Sequence, residues 1–573
     1  METKVIKKQI VFKAYDQNQY VKVPIDIGSF IPAGHIVRVI NEVVETLDIG
    51  VLESYYVGGG SSSYHPKMLI KVWVYGYCSR VYTSRPLSKA LNEQLPFMWL
   101  AGGQLPCFKT LSEFRGCRMQ GMIDIIFKQV LLILLEWGYI TLDDIYVDGT
   151  KIEANANQHK VVWAKNTERY KAGVIEHIDA LLAQVKILQE SEDAFYGEHH
   201  LTSMDQDTDV HIILNSEQVR THLTNMNTFV EQAVKSMKEK SDKKEVLDLK
   251  MQVKQLKKVN KLVRDLEKEH TKLVKYEQQE EILAGRNSYS KTDEDATMLR
   301  LKDEQLLPAY NIQHSTNNQY ITNYTIEQTA GDSTTLPEHL DKFEQRLTDI
   351  PSEYKEYQPN KKHLIADAGY GSEQNYADLE KRGLEAFVKY PLFHQEQTGE
   401  ILKSKFRREN FPYDNTTDSF TCPNNRKLVF SHLQTVTSAN GYPRELRVYS
   451  CENCQDCPFA AECKKSEHKE RSVQVSPKGE AYKAQAKEKL LSEQGVKFRK
   501  QRSIEVETAF ADIKYNMKYE RFILRSLDKV YVEYGLLAIA HNLRKVYCEQ
   551  SGIWADYYAQ RAANKTNSTQ KRA

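Results

Sequence analysis

The chain lacks any stretch of about 18 unbroken apolar residues, the length that a membrane-crossing helix requires, so a bilayer partner is not expected. Its opening, METKVIKKQIVFKAYDQ, has no apolar core of signal-peptide length, so export is not expected either. An excess of charge of one sign is also missing: 79 Lys and Arg stand against 77 Asp and Glu, a net charge of +2. That balance argues against uniform coating of a polyanion and leaves local basic surfaces as the way to meet a nucleic acid. The expectation is a cytoplasmic protein. In a long chain without an export signal, nine cysteines are poor candidates for disulfides. Four of them crowd into CENCQDCPFAAEC, a pattern better suited to metal.

At 573 residues the chain is too long for one ordinary core, and three or four structural units are expected. Helix-like apolar spacing runs through IVRVINEVVETLD, YHPKMLIKVWVYGYCSRV, SRPLSKALNEQL and TLSEFRGCRMQGMIDIIFKQVLLILLEWG, which predicts a helical N-terminal region. A small bundle and a DNA-binding helix-turn-helix look alike at this level. In DDIYVDGTKIEANAN, Ile145 and Val147 share a strand face, and Asp148-Gly149 reads as a hairpin turn before Ile152 and Ala154 resume the alternation. QYITNYTIEQTA reads as another strand, and Asp332 as a cap for the helix around LPEHLDKFEQRL. HLIADAGYGS runs through a short apolar strand and stops on Asp367, after which come a helix (EQNYADLEKRG) and a strand (EAFVKY). The β-α-β alternation predicts an α/β fold, a mixed sheet flanked by helices. Between the two aspartates lies an insertion of about 140 residues. Its clearest helix repeats apolar positions at Leu249, Val253, Leu256, Val259, Val263, Leu266, His270 and Leu273, a coiled-coil seam.

Taken alone, Asp367 is a turn or cap residue. A functional reading needs further oxygen ligands at the same sheet edge, because divalent cations are held by several. YVDGTKIEANAN, IADAGYGSEQNY and RSIEVETAFADIKYNMKYERF, followed by GLLAIAHNLRK, supply them in an order that resembles the DDE transposases of bacterial insertion sequences. The resemblance spans about Tyr64 to Lys545. It implies a ribonuclease-H-like core, a helical N-terminal transposase domain, and Asp148, Asp367 and Glu507 as a catalytic triad binding two Mg²⁺ or Mn²⁺ ions. It further implies double-stranded DNA partners (terminal inverted repeats and target DNA), a homodimer on the DNA ends, a nucleoid location, and Arg502 and Lys514 as phosphate-gripping groups. Two departures stand out: Ala511 occupies a place where many relatives have Gly, and Arg502 lies five residues before the Glu instead of four.

Cys422, Cys451, Cys454, Cys457 and Cys463 offer five thiols for a four-coordinate zinc. The resemblance favours Cys422, Cys454, Cys457 and Cys463, with Cys451 as the extra. From Ala481 to Val530 the chain has 12 Lys and Arg against 7 Asp and Glu, a basic stretch that contains Arg521 and suits a DNA surface. Trp163 is a candidate for stacking on an unpaired base. Glu505 and Glu507 lie two residues apart; a helical wheel places Glu507 and Lys514 in the apolar arc and Glu505 on the solvated side.

The expected organisation is a helical DNA-binding and assembly domain (1–138), a catalytic core (139–160 and 300–410), a helical coiled-coil insertion (161–299), a cysteine-rich zinc-binding insertion (411–475), the remainder of the core with the Glu helix (476–550), and a disordered polar tail (551–573). Two other readings stay open: a metal-dependent nuclease or recombinase on the same core, and a non-catalytic DNA-binding protein derived from a transposase. Intact carboxylates at all three motifs weigh against the second.

Overall fold

The computed structural model describes residues 26–48, 50, 63–196, 215–239, 246–302, 304–348, 363–438, 440–464 and 470–552. Apart from its first two residues, the expected polar tail lies outside the described residues. Among the described residues the first α-helices are α1 (Ile36–Thr46), α2 (Pro66–Cys78), α3 (Ser84–Glu93), α4 (Leu95–Leu100), α5 (Phe108–Gly116) and α6 (Ile123–Glu136). Pro66 sits at the start of α2, where its missing N–H costs nothing, and His65 caps the helix by accepting from Lys67 N.

The central sheet contains β1 (Asp144–Glu153), β4 (Thr297–Arg300), β5 (Leu306–Asn317), β6 (Tyr320–Glu327), β7 (His363–Ala366) and β8 (Glu385–Val388), in the order β4-β5-β1-β7-β8 with β6 also on β5. The β4, β5, β6 and β1 pairings are antiparallel, and β1-β7-β8 are parallel. This is the mixed α/β sheet that the sequence predicts. Helices α10 (Leu336–Leu347) and α11 (Glu373–Lys381) join β6 to β7 and β7 to β8.

Asp148-Gly149 is no turn. β1 is one unbroken ten-residue strand, paired with β5 from Tyr146↔Thr316 to Glu153↔Ala309, so the hairpin expectation is wrong. Gly149 is there for close approach: a Cβ on it would stand 2.6 Å from Gln313 Nε2 and 2.8 Å from Asp332 Oδ1. Nor does Asp332 cap α10, whose N-cap is Thr335 without a side-chain bond.

The insertion leaves through β2 (Val161–Trp163) and returns through β3 (Ser288–Ser290), which pair antiparallel. Between them run α7 (Ala164–Tyr196), α8 (Ser216–Glu239) and α9 (Val246–Leu283). These helices bury Val174, Ile178, Val219, Leu223, Val263, Leu266 and Leu273 together. The Val263 to Leu273 part of the predicted seam is thus closed within the chain.

A second sheet of five strands, β9 (Tyr413–Asp414), β10 (Ser419–Thr421), β11 (Lys427–Thr437), β12 (Pro443–Cys451) and β13 (Ser472–Val475), carries the cysteines. Helices α12 (Pro477–Leu491), α13 (Glu493–Ala511) and α14 (Leu527–Gln550) complete the fold. α13 lies across β1, β5, β7 and β8, while α14 packs on β6 and also on α1, α2 and α6, giving the N-terminal helices and the sheet a common core. Among the described residues no helix is long and apolar enough to cross a membrane.

Candidate active site

Adjacent parallel strands set the first two aspartates. β1 and β7 pair as Asp144↔His363, Ile145↔Leu364 and Tyr146↔Ile365, so two residues further on Asp148 is level with Asp367. Parallel neighbours lie about 4.8 Å apart, and residues level with each other share a face. The next pairing, Ala366↔Val388, brings Lys389 level with Asp367 in turn. Gly371 lets the second motif close on this strand: a Cβ there would stand 2.1 Å from the carbonyl oxygen of Lys389.

Asp148 is only partly exposed, and Arg502 Nη1 lies 3.1 Å from its Oδ2. Burial holds the Asp148 carboxyl above the usual carboxylate range; Arg502 opposes that shift and Asp367 adds to it. The Asp367 side chain accepts from Gly369 N at 2.8 Å, so it also caps the turn Ala368–Tyr370. Lys389 has its pKa lowered by burial and by Arg502.

α13 covers the face on which Asp148 lies. His314, directly opposite Asp148 on β5, stacks flat on Phe510 of α13 with ring centroids 3.6 Å apart. Lys514 donates to Thr150 Oγ1 at 2.6 Å and to the carbonyl of Lys151 at 3.0 Å. Glu507 thus belongs to a helix segment bracketed by Arg502 on Asp148 and Lys514 on Thr150. Burial lowers the Lys514 pKa to about 8.

The helical-wheel expectation for the two glutamates is overturned. Glu505 is buried at 2% exposure, accepting from Gln319 N at 2.6 Å and Gln501 Nε2 at 2.8 Å, whereas Glu507 is exposed. Burial raises the Glu505 pKa.

Of the other candidates, Arg521 is tied to the end of β1, with Nε 3.3 Å from Glu153 Oε1, and Trp163 is half-buried on β2 opposite Ser288. In the cysteine cluster, the backbone N–H of Arg426 points at Cys422 Sγ and that of Arg471 at Cys454 Sγ, each at 3.4 Å. Asn424 Nδ2 donates to Cys457 Sγ at 3.5 Å, while Cys451 is buried and donates to the carbonyl of Asn453. Burial raises the Cys463 thiol, and nearby Cys422, Cys457 and Cys451 raise it further; Cys454 is pushed up to about 12, first by burial. Among the described residues no group of three or more His, Cys, Asp or Glu side chains is arranged to hold a metal ion.

Sequence reasoning missed Lys389, His314, Asn311 and Gln313, and it gave Asp332 a different task. Their only signal is β pairing with residues far away in the chain.

A family model described as Transposase DDE domain matches residues 421–547, and one described as Transposase domain (DUF772) matches residues 25–117. The first takes in the cysteine cluster, Glu507 and Lys514, and the second helices α1 to α5; Asp148 and Asp367 lie outside both. No curated protein and no solved structure matches the chain. Two transposase domains in one chain, with level aspartates on a mixed sheet between them, support its assignment to the DDE transposases of insertion sequences.

Proposed function

We propose that the chain is an active transposase, which cuts at the terminal inverted repeats of its element and joins the freed 3′ ends to target DNA, working in the cytoplasm as a dimer on the DNA ends. Asp148 on β1 and Asp367 just past the end of the parallel neighbour β7, near enough for Asp367 to raise the Asp148 pKa, carry this reading. Hard carboxylate oxygens side by side fit Mg²⁺ or Mn²⁺. Burial and the nearby Asp367 both disfavour the charged form of Asp148, a repulsion that a bound cation would relieve. Asp148 and Asp367 would hold the metal, with Glu507 completing the set from α13. Two such cations, when bound, activate a water or 3′-hydroxyl and stabilise the departing oxygen of a phosphodiester. The basic side chains beside them, Lys389 and Arg502, suit a phosphate backbone. Trp163, Lys514 and Arg521 are the further DNA contacts of this proposal.

The test is a duplex carrying the element's own end, taken from the DNA that flanks the gene, incubated with purified protein and Mg²⁺, Mn²⁺ or chelator. Metal-dependent nicks with free 3′-hydroxyls, followed by joined products, are expected. Cleavage without joining would favour the nuclease reading, and binding without cleavage the non-catalytic one.

The cysteine sheet is proposed to hold one structural zinc through Cys422, Cys454, Cys457 and Cys463. The N–H···S bonds to Cys422 and Cys454 support it, since such donors steady thiolate ligands. About one zinc per chain is expected by elemental analysis, and any of these four changed to Ser should unfold the neighbourhood, because binding and folding are coupled. Cys451→Ser should do less. A zinc-free preparation that is folded and active would end the idea.

A further inference from the structure

We propose that Asp332 is a positioning residue that braces the Asp148 and Asp367 motifs from the rear of the sheet; this rests on the metal-binding role proposed for those two aspartates. Alternation along β1 puts Asp148 and Thr150 on the α13 face and Gly149 and Lys151 on the other. Gln313 and Asn311 are their partners across β5, so both amides lie on the rear face. There they are fully buried, and an unpaired amide would be costly.

Asp332 meets that need. Its Oδ1 accepts from Asn311 Nδ2 at 2.8 Å and from Gln313 Nε2 at 2.9 Å. Gln313 Nε2 also reaches Asn311 Oδ1 at 3.2 Å. The far end of the network is the second motif itself: the buried Tyr370 hydroxyl donates to Gln313 Oε1. Asp332 touches both motifs through their glycines as well. Its Oδ1 lies 2.8 Å from where a Cβ of Gly149 would stand, and its Oδ2 lies 3.5 Å from that position on Gly369. One carboxylate therefore connects the residue after Asp148 with the turn that follows Asp367. Since these two motifs lie on separate strands, the brace fixes the spacing between the aspartates that a cation would read.

The role asks only for an acceptor oxygen at Oδ1, which Asn also offers. The experiment is Mn²⁺ titration of the full chain, reading free Mn²⁺ by electron paramagnetic resonance, with thermal unfolding measured beside it. Residues that hold metal ligands in place typically change affinity about 10- to 100-fold when removed. Asp332→Ala is thus expected to weaken Mn²⁺ binding at least about tenfold, and Asp332→Asn to restore it to near the unaltered affinity. Tyr370→Phe, which cuts the same network at its other end, should weaken binding in the same direction, and its effect should not add to that of Asp332→Ala. Unchanged affinity in both Asp332→Ala and Tyr370→Phe would overturn the proposal. An Asp332→Asn variant as weak as Asp332→Ala would also overturn it, since that pattern belongs to a direct ligand. Asp367→Asn keeps the two failures apart: if it binds Mn²⁺ as the unaltered chain does, the metal-site reading itself fails.

Discussion

Asp367→Asn should lose Mg²⁺-dependent cleavage by about 10³-fold or more while still binding DNA ends and unfolding at nearly the same temperature. A metal centre contributes several kcal/mol of transition-state charge stabilisation, and each 1.36 kcal/mol is a factor of ten. The fold has little to lose at this position. Asn keeps the volume, and its carbonyl can still accept the Gly369 N–H that Asp367 takes at 2.8 Å. Asp148→Asn should be equally inactive but is a poorer test. Arg502, at 9% exposure, pairs with Asp148 at 3.1 Å, and removing one partner of a buried pair leaves an uncompensated charge at a cost of about 3–5 kcal/mol. A folded Asp148→Asn chain should therefore melt well below the unaltered protein. Single-turnover cleavage, mobility shift and thermal unfolding separate the two variants. Normal cleavage by Asp367→Asn would remove that residue from the chemistry.

The sheet and its flanking helices were legible because apolar alternation and helical spacing are local properties. So was the strand that ends on Asp367, since HLIA and EAFV each read as a short apolar run beside a turn. What failed depended on partners elsewhere. Asp-Gly is a strong hairpin signal, yet at Asp148-Gly149 the ladder to β5 continues, and the glycine makes room for Gln313 and Asp332. Nothing near Gly149 in the chain announces those two residues. The same holds for Asp332, whose position before a helix suggests a cap while its carboxylate serves buried amides on β5.

The misplaced glutamates have a geometric cause. A wheel that places Glu507 and Lys514 on one arc keeps 100° per residue throughout, but after Ala511 the helix passes into a π turn, Asp512–Asn516, which advances less per residue. Positions beyond it therefore give the wrong phase for those before it. Ile504 is 50% exposed despite its apolar side chain, and Glu505 turns inward to the backbone of Gln319.

That reversal sharpens the decision between the glutamates. Glu507→Gln should leave stability unchanged, because the side chain is exposed, and should abolish metal-dependent cleavage by about the same 10³-fold as Asp367→Asn. Glu505→Gln should keep cleavage, since Gln retains an acceptor for the Gln319 N–H. Its stability has a definite sign. Burial raises the Glu505 pKa, so the fold favours the protonated carboxyl, and ionisation destabilises it. The stabilising preference for the neutral form is complete below the unfolded pKa and is lost as pH rises through the folded value. Gln, which never ionises, should match Glu505 at acid pH and equal or exceed it in melting temperature above the folded pKa. Glu505→Ala should instead cost about 1–3 kcal/mol at every pH, because it strands the buried donors of Gln319 and Gln501. Thermal unfolding between acid and neutral pH, beside cleavage at neutral pH, gives both readouts on the same samples. An inactive Glu505→Gln that melts normally, beside an active Glu507→Gln, would transfer the catalytic role to the buried glutamate and break the match of this helix to the third motif.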